Sequence, residues 1–269
     1  MNKATSLTKP LPALAGRAKA VFALLFILLI SVTGYWLYTM KKTSTTHTHS
    51  SNWQAGKFVN SHNTYDTHIS SIWKIARAYL SADRKAPVPT QAMPLVPLTQ
   101  QQLLTQNDDA VYRLGHSTIL MKLDSQFVLT DPVFSERASP FSFAGPKRFH
   151  QSPIAMEDLP MIDVVVISHD HYDHLDKHAI KAMHGNVKQF ITPLGIGTHL
   201  KKWGVPAEKI TELDWWQTHT SKRLNFTATP TQHFSGRGLF DRDTTLWASW
   251  VIASKNSKIF FSERWLTYY

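Results

Sequence analysis

The sequence has no cysteine among its 269 residues. This absence excludes disulfide bonds and metal sites with thiolate ligands. It also suits the periplasm, where stray thiols become oxidised. No internal repeat is visible, so a repeat architecture is not expected. Because 43% of the residues are hydrophobic, the chain has enough apolar side chains for one sizeable core.

Acidic residues are scarce relative to basic ones: 19 Asp and Glu stand against 29 Lys and Arg, for a formal charge of +10. The basic residues are spread along the chain, without a long basic run or a nucleic-acid-binding motif. We therefore predict a basic, solvated surface and no nucleic-acid partner. Contact with anionic lipid is the better of the more specific interpretations.

One long stretch lacks charge altogether, "AVFALLFILLISVTGYWLYTM", residues 20–40. As a helix, its 21 residues would rise about 31 Å, enough to cross a bilayer core. More basic residues precede this run than follow it, which predicts a cytoplasmic N-terminus and a periplasmic body. We therefore predict an inner-membrane anchor. A cleaved signal peptide and an outer-membrane location are the alternatives.

These features divide the chain into four predicted parts. They are a cytoplasmic N-terminus (1–19), a transmembrane anchor (20–40), a linker with an N-terminal extension (41–108) and a compact domain (109–269). The linker starts with the polar, low-complexity stretch "KKTSTTHTHSSN". An amphipathic helix is predicted over residues 67–82.

Within the compact domain, strand patterns alternate with short helical patterns, and strands dominate towards the end. "MIDVVVIS", residues 161–168, is continuous and β-branched, as in a strand that is covered on both faces. An irregular loop punctuated by prolines precedes it, from 135 to 160. This alternation predicts an α/β layered domain.

"SHDHYDHLD" follows that strand and holds the densest cluster of ionisable side chains in the sequence. In a near-extended loop, His169 and His171 point to the same side and can hold one cation. Asp173 and His174 lie a turn further on and face a neighbouring position. Imidazole and carboxylate ligands suit a catalytic zinc site with a position open for water. The structural alternative is a polar turn whose histidines cap the following helix.

The spacing H-x-H-x-D-H after a hydrophobic strand is the signature of the metallo-β-lactamase superfamily. Further segments resemble its branch of N-acylphosphatidylethanolamine-hydrolysing phospholipase D, which includes membrane-anchored bacterial proteins of the RomA type. The resemblance covers roughly residues 105–262 and is carried, in order, by "LGHSTIL", "LTDPVFSERASP", "GPKRF", "VVVISHDHYDHLD", "PLGIG", "ELDWW", "TPTQHF" and "DRDTTLWASWV".

The resemblance implies an αββα four-layer sandwich with a dinuclear zinc site between the sheets. By the same match, His169, His171 and His233 would bind one zinc ion. Asp173 and His174 would bind the other, and Asp173 would also be the catalytic carboxylate. His233 also makes sense from the residues alone, because it follows a strand and a proline at an edge where the chain can turn into a crevice.

Two further residues, His116 in "LGHS" and Asp131 in "TDP", end predicted strands. We predict that they lie behind the metal ligands and orient them through hydrogen bonds. A plain structural turn is the alternative for each. Gly195 and Gly197 lack the rest of a dinucleotide-binding fingerprint, so no nucleotide site is predicted there.

The sequence departs from the branch pattern at its end. The branch pattern has "F-F-x-G-D-x-G-Y", with the aspartate bridging both metals, whereas this chain has Arg264 at that position and Glu263 one residue before it. The later histidine of the second zinc site does not follow. We therefore expect a chain truncated after Ser262, an incomplete C-terminal half of the fold, one firmly bound zinc ion and a weak second one.

The predicted function is that of a membrane-anchored, zinc-dependent hydrolase. The resemblance suggests a phosphodiesterase of the phospholipase D type, which attacks an N-acylphosphatidylethanolamine-like phospholipid with metal-activated water. Membrane lipid and this phospholipid are the predicted partners, and the oligomeric state is not predicted. A lactonase or β-lactam hydrolase is one alternative. The other is a non-catalytic, truncated membrane protein that affects envelope permeability and drug susceptibility.

Overall fold

A computed structural model describes residues 26–32, 49–61, 74, 77, 78, 81, 89–238 and 240–262. The chain divides into two units, residues 1–46 and residues 47–269. In the first unit, residues 26–32 are helical. The strands and helices given below all belong to the second unit.

The predicted membrane anchor requires a correction. Of the run 20–40, residues 26–32 are described, and the others lie outside the described residues. Across the described part of the chain, no helix is both long enough and apolar enough to cross a bilayer. The structure therefore contradicts the predicted inner-membrane location with a periplasmic body.

The second unit begins with a small hairpin and a short helix. The hairpin consists of β1 (Trp53–Gln54) and β2 (Lys57–Phe58). Helix α1 (Gln100–Thr105) starts at a capping box, in which Thr99 and Gln102 each bond the backbone of the other. Most of the helix predicted over 67–82 lies outside the described residues.

Six strands form a mixed sheet in chain order. Neighbours from the first to the third strand are antiparallel, and those from the third to the sixth are parallel. The strands are β3 (Ala110–Arg113), β4 (Ile119–Leu123), β5 (Gln126–Thr130), β6 (Ile162–Val166), β7 (Val187–Pro193) and β8 (Ile210–Leu213). Every residue of β6 is buried, as its continuous apolar pattern predicts.

Four strands form a second, antiparallel sheet. They are β9 (Thr218–Ser221), β10 (Leu224–Thr229), β11 (Ser249–Ala253) and β12 (Lys258–Phe261), in the order β12-β11-β10-β9. Side chains alternate along β10: Phe226 is buried, whereas Asn225 is exposed. This sheet therefore has one face in the core and one face in solvent.

Two cores hold the layers together. One joins the six-stranded sheet to α1 and to helices α2 (Lys177–Met183) and α3 (Ile196–Lys202). The other lies between the two sheets and includes Val164 and Trp250. The Trp250 indole donates to the Ile167 carbonyl at 2.9 Å, so its polar atom is satisfied inside this core.

The predicted α/β layered architecture is confirmed, but the predicted layer count is met only in part. The helices and strands described above form one helix layer and two sheets, which are three of the four layers of an αββα sandwich. The six-stranded sheet brings the carboxyl ends of β5 and β6 to one edge, because Thr130 pairs with Val166. The candidate site lies at this edge.

Candidate metal centre

Three loops meet at this edge of the six-stranded sheet. The loop after β6 carries His169 to His174, Asp131 follows β5, and His116 lies in the turn between β3 and β4. The segment after β10 adds His233. Ligand-type side chains that are distant in sequence therefore gather at the carboxyl ends of parallel strands, where α/β sheets usually bind ligands.

The first group consists of His169, His171 and His233, as the sequence predicts. His169 Nε2 lies 2.9 Å from His171 Nδ1 and 3.0 Å from His233 Nε2. One ligand atom from each residue lies within 4.8 Å of the others. His169 and His233 are buried, and His171 is partly exposed.

These three imidazoles fit a cation. Burial lowers the pKa of His169 and His171, and burial with the neighbouring His171 lowers the pKa of His233 to about 3. The rings are therefore neutral near pH 7, with lone pairs to offer. Three ring nitrogens that face one another cannot all be satisfied by their own protons, whereas a metal ion accepts all three lone pairs.

The second group consists of Asp173, His174 and His116. Asp173 Oδ2 lies 3.6 Å from Nε2 of both histidines. Burial alone would raise the pKa of Asp173, but the hydrogen bond and charge of His174 outweigh it and lower the pKa below its usual value. The sequence predicts that His116 lies behind the ligands. In the structure its ring nitrogen lies beside Asp173, where it can also serve as a third ligand.

Asp131, which the sequence predicts to orient the ligands, lies beside His174 and Ser168. Its buried carboxylate accepts hydrogen bonds from His174 Nδ1 at 2.8 Å and from the Ser168 backbone N–H at 2.7 Å. The Ser168 hydroxyl donates to the same carboxylate at 2.6 Å and lies 2.9 Å from His169 Nδ1. Asp131 and Ser168 thus fix ring orientation in both groups at once.

Arg237 is a residue that our sequence reasoning missed. Its Nη1 donates to the carbonyls of Asp170 and Leu175, and its guanidinium lies 4.1 Å from the centre of the Tyr172 ring. In return, the Tyr172 hydroxyl donates to the Arg237 carbonyl at 2.8 Å. The Gly236 N–H donates to the Asp170 carboxylate at 2.7 Å. These contacts, which we call the Arg237 latch, join the segment that carries the third histidine to the loop that carries the first two.

A cavity of about 800 Å³ opens beside both groups. His116, His171 and Asp173 form part of its wall. The rest combines apolar side chains with basic ones, namely Met93, Leu95, Val133 and Phe149 with Arg113, Lys147 and Arg148. Such a wall suits a substrate with both an apolar and an anionic part.

A model of the beta-lactamase superfamily domain matches residues 126–262, just over half of the chain. The chain belongs to the metallo-β-lactamase superfamily. The match spans β5 to β12 and includes every residue of the two metal groups except His116.

Several known proteins are similar to this chain. An uncharacterized protein of Mycobacterium tuberculosis is 42% identical over 191 residues, which are 71% of this chain and 50% of that protein. N-acyl-phosphatidylethanolamine-hydrolyzing phospholipase D 1 of Caenorhabditis elegans is 36% identical over 192 residues, 68% of this chain and 53% of that protein. The chain thus spans about half the length of these relatives. Among solved structures, a metallo hydrolase of Ignicoccus hospitalis aligns with a TM-score of 0.41 and 19% identity, over 57% of this chain and 60% of that chain.

The expectations for the end of this superfamily domain concern Glu263 and Arg264. Both residues lie outside the described residues, which end at Ser262. The expected absence of a bridging carboxylate therefore stays a prediction from the sequence. Gly195 and Gly197 lie at the start of α3, where their N–H groups donate to the Glu212 carboxylate at 2.6 and 3.0 Å.

Proposed function

We propose that the protein is a zinc-dependent phosphodiesterase of the phospholipase D type, acting on an N-acylphosphatidylethanolamine-like phospholipid. The proposal draws support from two relatives whose names state this activity. These are the Caenorhabditis elegans protein and a mitochondrial protein of Saccharomyces cerevisiae, which is 33% identical over 153 residues, 55% of this chain and 32% of that protein.

The observation that carries the proposal is the position of both metal groups at one cavity. The His169 and His174 rings, one from each group, lie 4.1 Å apart between centres. His171 and Asp173 reach the cavity wall from the same loop. A phosphodiester near these two side chains would have basic side chains and apolar side chains around it, which suits a phosphate that carries acyl chains.

The residues have separate roles in this proposal. His169, His171 and His233 would hold zinc firmly, and Asp173, His174 and His116 would hold a second ion. Zinc bound at these groups would lower the pKa of water and offset negative charge on phosphoryl oxygens. Asp131 keeps His174 in one orientation, and the basic side chains of the cavity wall attract the phosphate.

The test combines metal analysis with product identification on the full chain. His171→Ala should lower the zinc content of the first group and abolish release of N-acylethanolamine and phosphatidic acid from an N-acylphosphatidylethanolamine. His178→Ala is the matched control, because His178 is an exposed histidine on α2. It should keep both zinc and activity.

Two results would overturn the proposal. One is equal zinc content in His171→Ala and the parent protein, which would contradict the first metal group. The other is a zinc-loaded parent that cleaves lactones or β-lactams but leaves the phospholipid intact, which would favour the alternative substrate class.

A further inference from the structure

The loop between β5 and β6 contains a narrow, hairpin-like excursion, residues 135–149, which we call the aromatic loop. Its two sides are held together near the base. Arg137 and Lys147 form an isolated antiparallel bridge, and the backbone N–H of Arg148 donates to the Glu136 carbonyl at 2.9 Å. The excursion is therefore a bonded element with a defined tip.

The tip of the aromatic loop is apolar and exposed. Residues 140–143 are all exposed, with Phe141 at 56% and Phe143 at 81%. The two rings lie 5.5 Å apart between centres, so they form one patch. Gly145 has a φ of 101°, and a Cβ there would lie 2.6 Å from the Ser139 Cβ. Glycine thus permits the tight return that leaves both rings outside the fold.

The base of the aromatic loop, behind this apolar patch, carries mostly basic side chains. Arg137, Lys147 and Arg148 supply three basic side chains, against one acidic side chain, Glu136. Lys147 bonds Glu136 at 2.6 Å, which leaves the base with a net positive charge. Apolar side chains at a tip with cations behind them match the order of layers at a bilayer surface, where anionic phosphates lie above the acyl chains.

The aromatic loop also forms part of the substrate cavity. Glu136, Lys147, Arg148 and Phe149 line the same cavity as His171 and Asp173. On another part of its wall, the cavity is lined by Met93 and Leu95, which are 44% and 42% exposed. The apolar tip is therefore continuous, through the base of the loop, with the cavity that leads to the metal groups.

We propose that the aromatic loop docks the protein on the surface of an anionic lipid bilayer, with Phe141 and Phe143 inserted among the acyl chains. This proposal rests on the proposed function, because docking would bring the cavity to a substrate that resides in the bilayer. It differs from a transmembrane anchor, since the contact is peripheral and reversible.

The absence of cysteine makes a local test straightforward. Phe143→Cys provides the single thiol of the full chain, to which an environment-sensitive fluorophore can be attached. Phe260→Cys is the matched control, because Phe260 is a 63% exposed phenylalanine on β12. The probes are vesicles of phosphatidylcholine alone and vesicles that also contain phosphatidylglycerol.

The emission from position 143 should shift to the blue on vesicles with phosphatidylglycerol, and less on phosphatidylcholine alone. The emission from position 260 should not shift. Replacing both tip residues, Phe141→Ser with Phe143→Ser, should weaken binding to the anionic vesicles at least about tenfold. Because the fluorophore is attached to the aromatic loop, its shift reports insertion of this loop even when another segment of the chain also contacts lipid.

Three outcomes would overturn the docking proposal: no shift at position 143 on vesicles that bind the protein, an equal shift at position 260, or a shift without lipid that grows with protein concentration. The last would show that the tip contacts a second copy of the chain. The vesicles contain no N-acylated phospholipid, so docking is measured separately from hydrolysis. If docking occurs and hydrolysis does not, only the proposed function fails.

Discussion

Asp131 and His174 form a buried, hydrogen-bonded pair in the second candidate metal group. The Asp131 carboxylate is fully buried and lies 2.8 Å from His174 Nδ1, which it bonds as an acceptor. Because Nδ1 takes part in this bond, the other ring nitrogen, Nε2, faces Asp173 and lies 3.6 Å from its carboxylate. Asp131 itself has a φ of 35°, a left-handed conformation that only a few residue types adopt readily. Asp131 thus combines a left-handed backbone after β5 with a buried bond to His174.

Asp131→Asn should weaken zinc binding at the second group by about 10–100-fold, because an amide holds the His174 ring less well than a carboxylate. Asparagine keeps the size of the side chain and accepts a left-handed φ. Competition with a chelator measures the affinity. Asp163→Asn is the control, since Asp163 is a buried aspartate at the other end of β6 that pairs with Lys188 and Lys222. Unchanged zinc affinity in Asp131→Asn would show that the pair does not orient a ligand.

Arg237→Ala should lower zinc affinity at the first group, because the Arg237 latch fixes the segment that carries His233. Arg223→Ala is the control: this arginine bonds the Asp124 carbonyl, away from the latch. Addition of guanidinium ion at low concentration should partly restore zinc binding in Arg237→Ala, since it can occupy the vacated site. If the variant binds zinc as tightly as the parent, the latch has no role in positioning His233.

Asp243 gives a prediction for pH. Burial raises its pKa above the ordinary value of 3.8. At pH values between 3.8 and the higher pKa of the folded state, Asp243 is protonated more often in the folded protein than in the unfolded chain. Its contribution to the free energy of unfolding therefore falls as pH rises through this range. Asp243→Asn removes the titration and suits the left-handed φ of 61°. In urea unfolding, the variant should therefore gain stability relative to the parent between about pH 4 and pH 7. A constant difference across this range would contradict the prediction.

The strand before the metal loop could be predicted from sequence because its signals are local. The continuous β-branched pattern of β6 and the H-x-H-x-D-H spacing both lie within fifteen residues of sequence. By contrast, β9 was not predicted, because the short polar segment "THTS" has no strand pattern. It is a strand because its partner β10 offers a backbone edge to pair with.

The parts of the site that depend on long-range packing were harder to predict. The place of His116 beside Asp173 depends on the order of β4, β5 and β6 in the sheet, which no local pattern specifies. The Arg237 latch joins residues more than sixty positions apart and has no motif. His233 follows a strand and a proline, but its place in the first group came from the family resemblance.

Gly197 provides a test of the packing that supports the helix after β7. A Cβ at this position would lie 2.7 Å from the Glu212 carboxylate, which accepts the N–H groups of Gly195 and Gly197 at the start of α3. Gly197→Ala should therefore destabilise the fold by about 1–3 kcal/mol, despite the better helix propensity of alanine. Gly185→Ala is the control, because a Cβ there meets nothing within 4 Å. Urea unfolding should separate the two variants; equal stability would mean that Glu212 moves aside at little cost and that its bonds to the helix start contribute little.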